Sequence, residues 1–365
     1  MEKKLLTLVM PLLDRHTLTN RVLRHLSTNK CPFNIILADG SKNPFFNFFK
    51  KPVLDSISVS PLPTGEESPS GESIEKHYEG LSIKYFHSGY DYNISKYMKK
   101  MDLAFKEIET PLCMVVDNDD LVDISGIKSG IDFMSKNKEY SSYQNDVKTL
   151  NLNPQKHLGP SLYTRDSIEQ EDAQDRVIDS IKNFNSFNYA IFRTPICRVF
   201  FRIMGKINND DFQLFQKCWS YFAAACGKCK RLHNESYYYF IPGNSILQHG
   251  RRVHKFSNWM DTPYWQSSAP AMISIISLLT IRMDKSKTEI TKTREDIAKT
   301  FIHEVCDKNG EKRKTLKEIR AIVQQSYDFD KNVKDAIRKS KLSDFEEFKY
   351  DNKSEPNYES FLLSL

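Results

Sequence analysis

Runs of apolar residues recur along most of the chain in blocks short enough to be strands, separated by blocks with helical spacing. Leu5 to Met10 is a compact apolar run that meets Pro11 and predicts a buried strand. From Asp14 to Leu26 the apolar residues return at Leu18, Val22, Leu23 and Leu26, one face of a helix with Thr17 available as its cap. Asn34 to Ala38 predicts a second buried strand, closed by Asp39-Gly40-Ser41, and this strand–helix–strand opening implies a parallel, right-handed crossover. Leu81 to Phe86 is a third strand. Ile94 to Ile108 is a helix with Tyr97, Met98, Met101 and Phe105 on its apolar side. Leu112 to Val116 is a fourth strand, and it runs directly into Asp117-Asn118-Asp119-Asp120.

Further along, Ile124 to Asn137 reads as a helix and Tyr140 to Leu152 as strands or irregular chain. Asp166 to Asn183 is charged and helical in period, Phe187 to Arg193 a short strand, and Asp211 to Cys226 an aromatic-rich helix. After about residue 257 only helices dense in Lys and Glu are predicted, and Ala269 to Ile281 reads as a buried one. Residues 56–80 are rich in Pro, Ser and Glu, a mobile surface excursion. The expected organisation is an α/β domain over residues 1–257, carrying that insertion, followed by a helical region over 258–365.

Composition narrows the function classes. The 365 residues include 53 Lys and Arg against 47 Asp and Glu, a net charge of +6 that is too evenly interspersed to predict nucleic-acid binding. Glycine numbers only 13, and neither a P-loop nor a G-x-G-x-x-G stretch is present, so a phosphorylated ligand would have to be held by a metal or by side chains. Seven scattered cysteines suit a reducing compartment. With no cleavable leader and no membrane-length apolar run, the expectation is a soluble, cytoplasmic protein.

Asp117-Asn118-Asp119-Asp120 carries the most chemistry. Ligands of open parallel sheets bind beyond the carboxyl ends of the strands. Three carboxylates crowded there repel one another unless a cation compensates, and a hard divalent ion such as Mg²⁺ or Mn²⁺ takes oxygen ligands of this kind. The alternative is a solvated acidic turn in which Asp120 caps the following helix.

The order of these segments resembles family 2-type glycosyltransferases of the GT-A fold, in a bacterial surface-polysaccharide branch. Leu-Thr-Leu-Val-Met-Pro11 is similar to their opening strand and Ile-Leu-Ala-Asp39-Gly-Ser to their second. Tyr92-Asn-Ile-Ser-Lys-Tyr, then Met-Val-Val-Asp117-Asn-Asp119-Asp, follow in sequence, the last as an Asp-x-Asp motif. Asn188 to Thr194 and Asn209-Asp-Asp211-Phe complete a likeness that spans roughly residues 5–255; Leu12-Leu13-Asp14 stands where the family has Tyr-Asn. The resemblance implies a GT-A-like, Rossmann-type, mostly parallel sheet flanked by helices, a nucleoside-diphosphate sugar donor (UDP-linked), a Mn²⁺ or Mg²⁺ ion, and inversion at the anomeric carbon. The implied acceptor is a glycan or lipid-linked glycan, which would bring the chain to the inner face of the cytoplasmic membrane.

Within that resemblance Asp39 would contact the base or ribose, although Asp-Gly is also a common turn pair. Pro11 would form the pocket wall. Asp14 would help hold the nucleotide or else cap the first helix, and Lys96 would face the diphosphate or else be a surface lysine. Asp119 is the first choice of metal ligand, and Asp117 would serve nucleotide and metal together. Asp211 is implied as general base with Asp210 in reserve, while helix capping is sufficient to explain one of the two. His249, Arg251, Arg252 and Lys255 form the densest basic cluster. His249 is a further metal ligand and the other three are diphosphate-binding candidates, against a solvated basic loop. Cys226-Gly-Lys-Cys229 lacks the second pair that a zinc site needs, so structural thiols are expected there. Tyr237 to Phe240 could stack on a sugar or form a core strand. The basic helical region could contact a membrane or a second copy of the chain. A sugar nucleotidyltransferase and an inactive sugar-binding scaffold are the rival readings.

Overall fold

A computed structural model describes residues 4–49, 78–151, 157–184, 186–240, 256–281 and 287–338. The chain opens with β1 (Leu6–Leu12), α1 (His16–Thr28), β2 (Asn34–Asp39), β3 (Ser82–His87), α2 (Ile94–Lys106), β4 (Leu112–Val115), β5 (Leu121–Val122) and α3 (Ile124–Lys136). It continues with β6 (Tyr140–Asn151), β7 (His157–Ser161), α4 (Ala173–Lys182), β8 (Ile191–Arg193), α5 (Thr194–Ile207), α6 (Phe212–Cys226) and β9 (Lys228–Phe240), and ends in α7 (Trp265–Thr280), α8 (Lys287–Asn309) and α9 (Leu316–Arg338).

Among the described residues nine strands form one sheet in the order β3-β2-β1-β4-β8-β6-β9-β5, with β7 paired to β6. The β3-β2-β1-β4 half is wholly parallel. Beyond it β8 reverses against both β4 and β6, while β9 runs parallel to β6 and β5 reverses again. The sheet is thus mostly parallel in strand direction, as expected. β1 runs two residues past the predicted stop. Pro11 lies beyond the last β1–β4 pair, Val9 with Val115, so its missing N–H costs no bond to β4.

Alternation along β1 sends Leu6, Leu8, Met10 and Leu12 into one core with α1 and α3, and Val9 into the other with α2, α5 and α6. Side chains of α7, α8 and α9 join this second core through Ile273, Ile302 and Val333, so the helical C-terminal region packs as a further layer on the α5–α6 face. α7 is buried almost all round from Ser268 onward, as its apolar sequence requires. No helix among the described residues is long and apolar enough to cross a membrane.

Three local expectations change. α1 is not capped by Thr17 or by Asp14; its N-cap is Arg15, in a left-handed conformation with no side-chain cap. The predicted 166–183 helix begins only at Ala173, because Ile168 bridges Cys229 in extended form. α5 was not among the predicted elements, although its sequence is amphipathic, with Ile196, Val199, Phe200 and Ile203 on the buried face.

Candidate functional site

The acidic cluster sits where the carboxyl ends of β1 and β4 meet. Asp117, Asp119 and Asp120 each offer one carboxylate oxygen, and these oxygens all lie within 4.8 Å of one another. Asp120 is fully buried and Asp119 nearly so, which overturns the solvated-turn alternative; the cap of α3 is Asp123 instead.

Buried carboxylates need partners. Tyr237, reaching across from β9, donates its hydroxyl to Asp120 Oδ2 at 2.6 Å and accepts the Asp117 N–H at 3.2 Å. Tyr189 stacks on Tyr237 with ring centroids 4.2 Å apart and donates to Asp117 Oδ2 at 3.1 Å. Arg15 pairs with Asp119 Oδ2, and Arg21 donates to the Asp119 carbonyl. Asn118 points the other way, donating to the Asp14 carbonyl at 3.2 Å and to Thr19 Oγ1 at 3.1 Å, which bolts the acidic turn to the start of α1. Burial, reinforced by the charge of Asp119, pushes the Asp117 carboxyl up to about 6 against the opposing pull of Tyr189 and Arg15. Burial likewise raises Asp119, opposed chiefly by Arg15. An all-oxygen set of three carboxylates suits a hard cation in its chemistry.

The turn between β1 and α1 is strained to aim Arg15 inward. Asp14 and Arg15 adopt φ of 53° and 59° without being glycine, at a cost of roughly 1–2 kcal/mol each. Ser41 Oγ accepts the Asp14 N–H at 2.7 Å and helps hold that turn.

Beside the cluster opens a cavity of about 460 Å³. Arg15, Asp117, Asn118, Asp119 and Tyr189 give it polar lining, and Ile94, Tyr97, Phe212, Phe215 and Trp219 apolar lining. Pro11 and Leu12 form one wall. Lys100, almost fully buried, also lines it; its ammonium pairs with Asp91 Oδ2 at 2.6 Å and donates to the Leu12 carbonyl at 3.0 Å. Gly40 makes room for that pair, since a Cβ there would stand 2.1 Å from Asp91 Oδ2.

Of the predicted residues, then, Pro11, Asp117 and Asp119 share one cavity. Asp39, the last residue of β2, is buried, its carboxylate accepting the N–H groups of Ser41 at 2.8 Å and Phe45 at 2.6 Å and the Tyr85 hydroxyl at 2.8 Å. Asp14 and Lys96 face solvent, and the Lys96 ammonium lies over the Tyr92 ring. Asp211 is 1% exposed, with Oδ1 capping α6 through the Gln213 N–H at 2.9 Å and Oδ2 accepting Trp259 Nε1–H at 2.6 Å. Asp210 is exposed, accepting from Ser95 N–H and Asn93 Nδ2, both at 2.9 Å, at the start of α2. His249, Arg251, Arg252 and Lys255 lie outside the described residues, as do residues 56–77 of the predicted insertion. Cys226 and Cys229 are free thiols at the end of α6 and the start of β9, raised by burial. Sequence reasoning missed Arg15, Lys100 and Tyr189, and it offered Tyr237 as a sugar-stacking or core-strand residue, not as a partner of the acidic cluster. The available signals were an arginine just past β1 and a lysine on the apolar side of α2.

No family model matches this chain, and no curated protein matches it in sequence. Solved structures do. The crystal structure of S. aureus TarS 1–349 in complex with UDP-GlcNAc aligns with a TM-score of 0.52 at 12% identity, over 94% of this chain and 89% of that one. The same fragment without that ligand gives 0.48 at 11% identity over 92% and 91%, and its complex with UDP gives 0.45 at 11% over 96% and 98%. At such identity the likeness is one of fold, and the fold is a GT-A-like α/β architecture.

Proposed function

We propose that this chain is a glycosyltransferase that moves a sugar from a nucleoside-diphosphate donor, UDP-linked, to a glycan hydroxyl with inversion. The observation that carries the reading is the convergence of Asp117, Asp119 and Asp120 at the carboxyl end of β4, the first two lining a cavity of about 460 Å³. The fold shared with a structure holding UDP-GlcNAc supports the donor class.

The donor set fits a divalent ion. All three ligands are carboxylate oxygens, and Asp117 and Asp119 are raised by burial in a way that added positive charge would relieve. Bound there, Mn²⁺ or Mg²⁺ would neutralise the diphosphate as it leaves. The chain's own residues supply the rest. Tyr237 and Tyr189 fix Asp120 and Asp117, while Asn118 and Arg21 fix the turn that carries Asp119. Lys100 anchors the β1 end through the Leu12 carbonyl. A general base must reach the acceptor hydroxyl, and Asp211, buried between the start of α6 and the Trp259 indole, is poorly placed to do so. We assign the role instead to its reserve, Asp210, an exposed carboxylate held at the start of α2 by Asn93 Nδ2 and the Ser95 N–H. It would take the hydroxyl proton as the new bond forms at the anomeric carbon and the bond to the diphosphate breaks.

The reading is tested by thermal-shift measurement against nucleoside diphosphates with and without Mn²⁺. Stabilisation by one diphosphate that depends on the ion, and that Asp119→Asn abolishes, is the expected result. No response to any nucleotide would overturn it.

A further inference from the structure

The Arg15–Asp119 pair occupies the place where positive charge is needed. In the described structure this guanidinium satisfies Asp119 Oδ2, one of the cluster's own ligand residues, while also lining the donor cavity. A divalent ion and Arg15 therefore compete for one carboxylate.

The surroundings allow the exchange. The turn that carries Asp119 does not depend on Arg15 for its position, because Asn118 ties it to Asp14 and Thr19 and Arg21 holds the Asp119 carbonyl. The Arg15 backbone is likewise fixed independently of its side chain, as the N-cap whose carbonyl accepts the Leu18 N–H at 2.9 Å and the Thr19 N–H at 3.1 Å. Two consecutive left-handed residues direct the side chain inward. The guanidinium can thus change partner by rotamer alone, and the flat, bidentate geometry of arginine matches a phosphate as well as a carboxylate.

We propose that Arg15 is an exchangeable counter-cation: it holds Asp119 while no other cation is present, and passes to the diphosphate of the donor when a divalent ion takes that carboxylate. The proposal rests on the glycosyltransferase reading and adds a residue to it. Metal and donor binding are then coupled, since the ion frees the arginine that the donor needs.

Isothermal titration with Mn²⁺ alone, and with UDP at saturating Mn²⁺, tests this on the full chain. Arg15→Gln should bind Mn²⁺ about tenfold more tightly in the absence of nucleotide, because its competitor is gone, and UDP about tenfold more weakly. Arg15→Lys, which keeps the charge without the fork, should move both constants in the same directions by about threefold, and it decides the matter if the Gln variant does not fold. Unchanged or weaker Mn²⁺ binding by the folded variants, or unchanged UDP binding, overturns the exchange while leaving the glycosyltransferase reading intact. Absence of Mn²⁺ and UDP binding by the wild-type chain overturns both.

Discussion

Tyr237 touches two members of the acidic cluster through one oxygen, donating to Asp120 Oδ2 at 2.6 Å and accepting the Asp117 N–H at 3.2 Å. Burial and the two neighbouring carboxylates raise its phenol well above the ordinary range, so it remains a donor at any working pH. Tyr237→Phe keeps the ring stacked on Tyr189 but removes both hydrogen bonds within the interior. The expected cost is about 1–3 kcal/mol of stability, measured by urea denaturation, together with weaker Mn²⁺ binding. A Phe variant equal to wild type on both counts would show that the hydroxyl does not organise the cluster.

Asp210 and Asp211 are adjacent in sequence and differ in task. Asp211→Ala should destabilise the chain by roughly 2–4 kcal/mol, because α6 loses its cap and the buried Trp259 indole N–H loses its acceptor. Asp210→Asn should leave the melting temperature within a few degrees of wild type and UDP binding intact, yet abolish sugar transfer. Full turnover by Asp210→Asn would remove it as the base, whereas no transfer by the wild-type chain would favour the inactive-scaffold reading.

The Asp91–Lys100 pair is almost completely withdrawn from solvent, with side chains 2% and 1% exposed. Lys100→Met strands the Asp91 charge in the interior and should cost about 3–5 kcal/mol, whereas Lys100→Met combined with Asp91→Leu should recover much of that loss. Gly40→Ala acts on the same pair by driving a methyl into Asp91 Oδ2 and should cost about 1–3 kcal/mol. Denaturation of the three variants measures the coupling. A double variant no better than Lys100→Met would mean that the ion pair is not what stabilises this corner.

Much of this arrangement could be read in the sequence, and for definite reasons. β1, β2 and β4 are buried strands of a parallel sheet, so they appear as uninterrupted apolar runs, and an acidic turn directly after one of them marks the ligand-binding edge. What could not be read were pairings made by folding. Arg15 and Asp119 lie 104 positions apart, and Tyr237 and Asp120 lie 117 apart, so no local spacing connects them. Asp211 illustrates the converse. Capping was a sufficient local explanation for an acid before α6, and the structure adds Trp259, from 48 residues downstream, as its second partner.

Lys217 on α6 supplies a prediction away from the site. Its side chain is buried, with the ammonium 3.2 Å from the centre of the Phe184 ring. Burial pulls this amine down to about 7, with Lys308 adding to the effect and Glu304 opposing it. Because the folded value lies below the unfolded one, the unfolded chain holds the extra proton between about pH 7 and 10.5. Stability therefore rises with pH across that window, and the cost of burying the charge is fully present below about pH 7. Lys217→Met removes that cost while keeping an apolar, polarisable side chain over Phe184, at the loss of the cation–π attraction. The variant should be more stable than wild type by ~2 kcal/mol at pH 6, and the gap should shrink steadily toward pH 9, as measured by urea denaturation in a pH series. A gap of the same size at both ends would show that side-chain packing, not the buried charge, separates the two proteins.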